Sequence, residues 1–421
     1  MGTLQKIFEK TLEDSFSFPV VGAKLIKRQL EKKSIILTDK QIDELEKKLQ
    51  DINGDLINFD LDLDEEQNRI LGVSDGEKYE IDIGGEKELD ELYQEFVTKI
   101  EESVPEIIEE MTATILSRLK KDMPAMLKAH RKDMKSFEQR LQSDWKKPLD
   151  LFESFLVLAY EAGEEFNNEF RKDESERKNY VLEVLTRLHA RACQITSEIL
   201  VLLKSGFADG AHARWRTLHE ITVVGSFIKN QGNEIAEKYL LHDNIESFRA
   251  ANLFQKYCKE LNDIPIPQDE YELIKATYEK LIARFGESYR NEYGWAASVL
   301  KKNRPTFSDI EKNTGLDHQR PYYKLASHNV HANPKGVSFK LGLTPSTQNI
   351  LLAGPSNTGF TDPAQGAIIS LGFITIALIT ARPTIDNLVL SNILSKLGDE
   401  IGVEFLKVQK EIENREFDDS D

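Results

Sequence analysis

The chain has 421 residues, 40% hydrophobic and 30% charged, with a formal net charge of −17. This is the composition of a globular protein with room for two or three domains, and its acidity excludes a strongly basic domain that coats nucleic acid indiscriminately. Two cysteines, Cys193 and Cys258, are too few for a disulfide framework and fit a reducing, cytoplasmic setting.

In chain order, Met1–Lys6 lacks the apolar run of a secretory signal, and Lys6 stands where a myristoylation motif wants Ser or Thr. Residues 1–50 read as helices, with an amphipathic start at Leu4, Phe8 and Leu12 and a break at Pro19. From Ile57 to Asp64, and again from Tyr79 to Ile83, apolar and polar residues alternate with period two. That pattern predicts a small hairpin, so the N-terminal region is expected to be α+β. From Lys87 onward three- and four-residue spacing predicts almost continuous helix, with Pro148 starting a new one. A long helix follows through Val181, Leu185, Leu188, Ala192, Ile195, Ile199 and Leu202. Further helices are expected over about 211–229 and 234–261, then a long loop at 332–365 rich in Gly and Pro, and two closing helices. The apolar run Ala367–Ala381 is 15 residues, short of the roughly twenty that span a bilayer, and is expected to be a buried helix.

The charge is concentrated. Residues 51–110 hold 21 acids and 4 bases, whereas the rest of the chain holds 51 of each. Residues 301–340 are locally basic, with 8 Lys and Arg against 3 acids. A neutral body with such a patch can bind a phosphate backbone, and the acidic segment is a candidate mask for it.

The titratable chemistry gathers in two helical stretches. In the first, His212, Arg216, His219 and Glu220 fall on one side of a helix, with Arg214 turned away. Arg216 can grip a phosphate or carboxylate with two prongs, His219 can carry a proton near neutral pH, and Glu220 can orient either. The bland alternative is an Arg216–Glu220 ion pair on a packed helix. In the second stretch Tyr323, Ser327 and His331 are spaced by four, as are Arg320 and Lys324, with His328 close by. Ser327 and His331 could form a hydroxyl–imidazole pair, although no Gly-x-Ser-x-Gly elbow accompanies them. His331 could equally stabilise a helix C-terminus.

Metal binding has little support. His219-Glu220 lacks the second histidine of a zinc-protease helix, and Asp60, Asp62 and Asp64 open a calcium loop that Glu65 and Leu71 break. No phosphate-cradling glycine motif is present, so no nucleotide cofactor is expected.

The run Leu202-Leu203-Lys204-Ser205-Gly206-Phe207-Ala208-Asp209-Gly210, then Arg216-Thr217-Leu218-His219-Glu220 and later Tyr323-x-x-x-Ser327-x-x-x-His331, resembles a bacterial all-helical domain family of unknown function. The resemblance covers about residues 175–385 and implies that Arg216, Glu220, Ser327 and His331 come together. More distantly, Arg214-x-x-x-x-His219 resembles the HEPN superfamily of helical ribonucleases and toxins, with Trp215 departing from the usual polar residue. That resemblance implies metal-independent RNA cleavage, with His219 or His331 moving the proton and Arg214 or Arg216 stabilising phosphate charge. It also implies a homodimer and a role as a toxin or antiphage effector.

These readings predict a mainly α protein. It comprises N-terminal helices with an acidic hairpin (1–90), a helical connector (91–150), a helical bundle domain carrying the site (151–412) and an acidic tail (413–421). Arg214, Arg216, His219, Glu220, Ser327 and His331 are the expected catalytic residues. His212, Arg320, Tyr323, Lys324 and His328 are the expected substrate contacts. RNA and a second copy are the expected partners, with no membrane, metal or cofactor. The alternatives are a non-catalytic binding or regulatory module whose polar pairs fix helix packing, and a Ser/His hydrolase of small molecules.

Overall fold

The computed structural model describes residues 2–50, 60–72, 78–83, 85–172, 178–344, 347 and 349–418. Contacts divide the chain into two compact units, Met1–Lys128 and Ala129–Asp421. The fold is mainly α, and the described residues contain no strand.

The first unit holds α1 (Gly2–Ser15), α2 (Phe18–Lys32), α3 (Asp39–Gln50), α4 (Glu65–Leu71) and the first half of α5 (Glu86–Lys172). Ala23, Ile26 and Leu30 of α2 pack on Leu45 and Leu49 of α3, with Ile35 and Leu37 from the turn between them. The alternating segments 60–64 and 78–83 run extended, without a described ladder; residues 57–59 of the expected hairpin lie outside the described residues. Their period-two pattern nevertheless sorts the side chains. Leu61, Leu63, Ile81 and Ile83 pack on the α2–α3 core, while Asp60, Asp62 and Asp64 face water. Asp64 caps α4, accepting from the Gln67 backbone N–H at 2.8 Å while Gln67 Oε1 accepts from the Asp64 N–H at 3.0 Å.

Helix α5 corrects the expectation of a new helix at Pro148. Pro105, Pro124 and Pro148 all lie inside one helix of 87 residues. In the second unit its Trp145 indole donates to the Asn357 carbonyl at 3.1 Å and packs between Phe360 and Phe405. Contacts of this kind hold Pro148 inside a helix that local propensity would end.

The second unit continues with α6 (Tyr180–Lys204), α7 (Ala208–Gln231), α8 (Asn233–Leu241), α9 (Asp243–Tyr257), α10 (Gln268–Phe285) and α11 (Ala297–Leu300). It closes with α12 (Phe307–Thr314), α13 (Arg320–Val330), α14 (Pro334–Ser338), α15 (Thr361–Ile379) and α16 (Ile385–Asp418). The single helix expected over 234–261 is two, α8 and α9. They meet at His242, whose Nε2 lies 3.0 Å from the Tyr289 carbonyl and 2.9 Å from that of Asn291. The long loop expected over 332–365 is interrupted by α14.

Helices α6, α7 and α15 form the centre of this unit. Helix α15 is long and apolar enough to cross a membrane, but most of it is buried, with Ile368, Leu371, Ile374 and Leu378 in the core. Gly206 turns the chain between α6 and α7 at φ +85°, a backbone region costly to any residue with a Cβ. Its carbonyl accepts from the Ser356 N–H at 2.9 Å. The turn therefore aims α7 along α6 and α15, leaving its remaining face to α12 and α13.

Candidate functional site: a cationic pocket on α7, α12 and α13

Helix α7 carries two polar clusters because its sequence interleaves apolar core positions with His, Arg and Glu. Trp215 anchors it, donating its indole N–H to Ser370 Oγ at 3.1 Å, and Thr222 donates to the Ser370 carbonyl at 2.9 Å. With α7 so fixed against α15, His219 projects to α12, and Arg216 and Glu220 project to α13.

The first cluster is buried. His219, 2% exposed, and Glu311, 0% exposed, meet at 2.9 Å through Nε2 and Oε1. The other carboxylate oxygen of Glu311 is paired with Arg320 Nη2. Burial depresses the His219 pKa, against the pull of the Glu311 carboxylate. Arg320 already supplies the countercharge, so His219 acts as a neutral donor to Glu311 rather than as a second cation. Arg320 also lies over the rings of Phe307 and Tyr323, 5.7 and 5.4 Å from their centres.

The second cluster is half-buried. Tyr323 donates its hydroxyl to Glu220 Oε1 at 2.6 Å, and Arg216 Nη2 reaches the same oxygen at 3.2 Å. The Arg216 guanidinium stacks 4.9 Å from the centre of the Tyr323 ring. Burial, followed by the bond to Glu220, pushes the Tyr323 phenol up to about 12, so it remains a donor at physiological pH.

In front of these clusters is an open pocket of about 450 Å³. Arg216, Arg320 and Lys324 bring its fixed positive charge, and His328 and His331 add two imidazoles. Thr306, Ser308, Tyr323 and Ser327 add hydroxyls, and no carboxylate belongs to the lining. The acids that balance the arginines, Glu220 and Glu311, sit behind them. The N-terminal end of α12 contributes Thr306, Phe307 and Ser308. Thr306 caps that helix in a reciprocal capping box with Asp309. The Asp309 carboxyl is lowered to about 2 by the Lys302 ammonium first and the Thr306 backbone N–H second.

The C-terminal end of α13 is locked by Asn333. Its Oδ1 accepts from the Gly336 N–H at 3.0 Å, which orients its amide so that Nδ2 donates to His328 Nδ1 at 2.9 Å. Neutral His328 therefore carries its proton on Nε2. Gly336 permits the lock, because a Cβ there would lie 2.1 Å from the His328 carbonyl oxygen.

Of the residues singled out from the sequence, Arg216, Arg320, Tyr323, Lys324, Ser327, His328 and His331 line one pocket, and Glu220 backs it. Three are not brought to it. Arg214 turns to α6 and pairs with Glu198. His219 faces the buried Glu311. His212 is fully buried and stacked on Trp215, both ring nitrogens lack a hydrogen-bond partner, and burial lowers its pKa to about 4. Ser327 donates to the Tyr323 carbonyl one turn back at 2.8 Å, and His331 is the exposed C-cap of α13. The sequence reading missed Glu311, and with it Thr306, Ser308 and Asn333. Glu311 sits on a short helix far along the chain from His219, with no motif around it.

Among the described residues no group of three or more His, Cys, Asp or Glu is placed to hold a metal ion. The geometry suits capture of an anion by two braced guanidiniums and an ammonium. Residues 182–348 match the model of a family described as a family of unknown function (DUF5677). The match contains every residue lining the pocket and carries no HEPN affiliation. No curated protein and no solved structure matches the chain.

Proposed function

We propose that the chain recognises a phosphate group in the α7–α12–α13 pocket. The observation that carries this reading is the placement of charge. Arg216, Arg320 and Lys324 line the pocket, while the two carboxylates that balance the arginines lie behind them. Arginines braced from behind are already oriented, so an arriving anion meets formed donors and little side-chain entropy is lost. The pocket volume lies within the range of small-ligand sites.

RNA is the phosphate-bearing ligand we put first. That choice rests on the locally basic stretch 301–340, whose Arg320 and Lys324 line the pocket. Metal-independent cleavage, as in a toxin or antiphage effector, would fall to the pocket imidazoles of His328 and His331, because His219 is neutral and buried. We place the protein in a reducing cytoplasm, consistent with two unpaired, buried cysteines.

The test is fluorescence anisotropy and gel analysis of a labelled single-stranded RNA in EDTA. Binding that falls tenfold or more in Arg216→Ala or Lys324→Ala supports phosphate recognition. Cleavage lost in His331→Ala or His328→Ala supports the ribonuclease. Equal binding by wild type and both cation variants would refute the proposal.

A second reading is favoured by one observation. Residues His219, Glu311 and Arg320, together with Arg216, Glu220 and Tyr323, tie α7, α12 and α13 into one polar network. In that reading the network serves packing in a non-catalytic binding or regulatory module. It predicts large stability losses in variants of these residues, with no RNA bound by the wild type.

A further inference from the structure

The first unit contains an exposed helical face on which no described residue is packed. Every residue of α5 from 105 to 126 is exposed. Within that stretch Ile108, Met111, Ile115, Leu119 and Met126 are apolar, each at least 37% exposed. At the α-helical turn per residue they fall within about 40° of Ile115 on one side, with Ile107 and Met123 about 80° away on opposite flanks. Pro105 and Pro124 also lie within this stretch, each removing a backbone donor at a cost of roughly 3 kcal/mol. A solvated helix of this composition is not held by its own propensity, and packing along the apolar stripe is what can hold it.

Two features identify the occupant. The apolar positions are symmetric under reversal through Ile115: Val104 maps to Met126, Ile107 to Met123 and Met111 to Leu119. The charges are antisymmetric. Residues 101–110 carry five Glu and no base, whereas residues 118–128 carry Arg118, Lys120, Lys121 and Lys128 against Asp122 alone. A parallel pair of these helices would set acid on acid and base on base. An antiparallel pair sets each acidic end on a basic end.

We propose that two copies of this chain associate through α5 as an antiparallel helix pair, with the twofold axis at Ile115. Met111 of each copy packs near Leu119 of the other, and the two Ile115 side chains meet at the centre. Glu109 and Lys120 of the second copy share one flank at one level, and Glu110 and Lys121 share the other, each turned about 120–140° from Ile115, so these charges attract across the back of the seam and not in direct contact. Asp122, held by Arg118 at 4.0 Å, is the one polar interruption of the stripe and falls opposite Ile108. This stretch and the phosphate pocket belong to different units, and the inference does not depend on that pocket's function.

The test is sedimentation velocity of the full chain at micromolar concentration, in low salt. Wild type is expected at twice the chain mass. Glu109→Lys with Glu110→Lys should weaken association a few-fold, because four bases then gather on each flank. Adding Lys120→Glu and Lys121→Glu to the same chain should restore it, since every acid again meets a base. In oxidised mixtures Met111→Cys should cross-link to Leu119→Cys and not to itself. A monomeric wild type, a dimer indifferent to the charge reversals, or Met111→Cys cross-linking to itself would each overturn the proposal.

Discussion

His219 on α7 and Glu311 on α12 meet at 2.9 Å with both side chains out of water, and Arg320 on α13 closes the other side of the carboxylate. Three helices thus share one buried charge. Removing one partner of such a group leaves the rest uncompensated, which costs more than the pair contributes when intact. Glu311→Ala is expected to lower stability by roughly 3–5 kcal/mol, measured by urea denaturation. Glu311→Gln keeps an acceptor for His219 but loses the charge on Arg320, and should cost less. An Ala variant as stable as wild type would show that the cluster does not hold the helices.

Two buried histidines set an acid limit. Burial alone lowers His189 and His212 to about 4, well below the ordinary value of 6.5. Their depressed native pKa values mean that the unfolded chain takes up protons that the native chain refuses. The stability they contribute is present in full above about pH 6.5 and is lost as the pH falls towards 4. Each contributes on the order of 3 kcal/mol over that interval. Proton uptake on unfolding at pH 5, followed by calorimetry, should drop by about one proton in His212→Leu. An unchanged pH profile in that variant would contradict the assignment.

Gly336 holds the end of the pocket through close backbone approach. Gly336→Ala drives a methyl group into the His328 carbonyl and must push α14 off α13. The Asn333–His328 bond should break with it. Anion affinity is expected to fall several-fold, with a stability loss of about 1–3 kcal/mol. An alanine variant with wild-type binding would remove α14 from the description of the site.

Tyr323→Phe separates the brace from the stack. The ring remains under Arg216, but Glu220 loses its 2.6 Å hydroxyl donor. Its charge then falls more heavily on Arg216, so anion binding should weaken a few-fold, with a stability loss of roughly 1.5–3 kcal/mol. Stronger binding in this variant would reverse the sign of the argument.

Much of this site was legible in local spacing. The four-residue steps Arg216–Glu220 and Tyr323–Ser327 mark real helix faces, His331 falls just past the second helix as its C-cap, and the basic stretch 301–340 marks the pocket wall. Partners that depend on packing between distant helices were not legible. Glu311 serves His219 across a gap of 92 residues, and nothing near it in the chain announces this. Local rules also misread α5, because proline weakens a helix by a fixed local amount while contacts around Trp145 act from residues far along the chain. The alternation at 60–64 and 78–83 reports one buried face per segment. That is all period two requires, and it does not by itself specify a ladder.

The most direct measurement is a crystal of the full chain soaked in tungstate, an electron-dense stand-in for phosphate. An anion is expected among Arg216, Arg320 and Lys324, lost in Arg216→Ala with Lys324→Ala. An empty pocket beside tungstate bound elsewhere on the protein would contradict it.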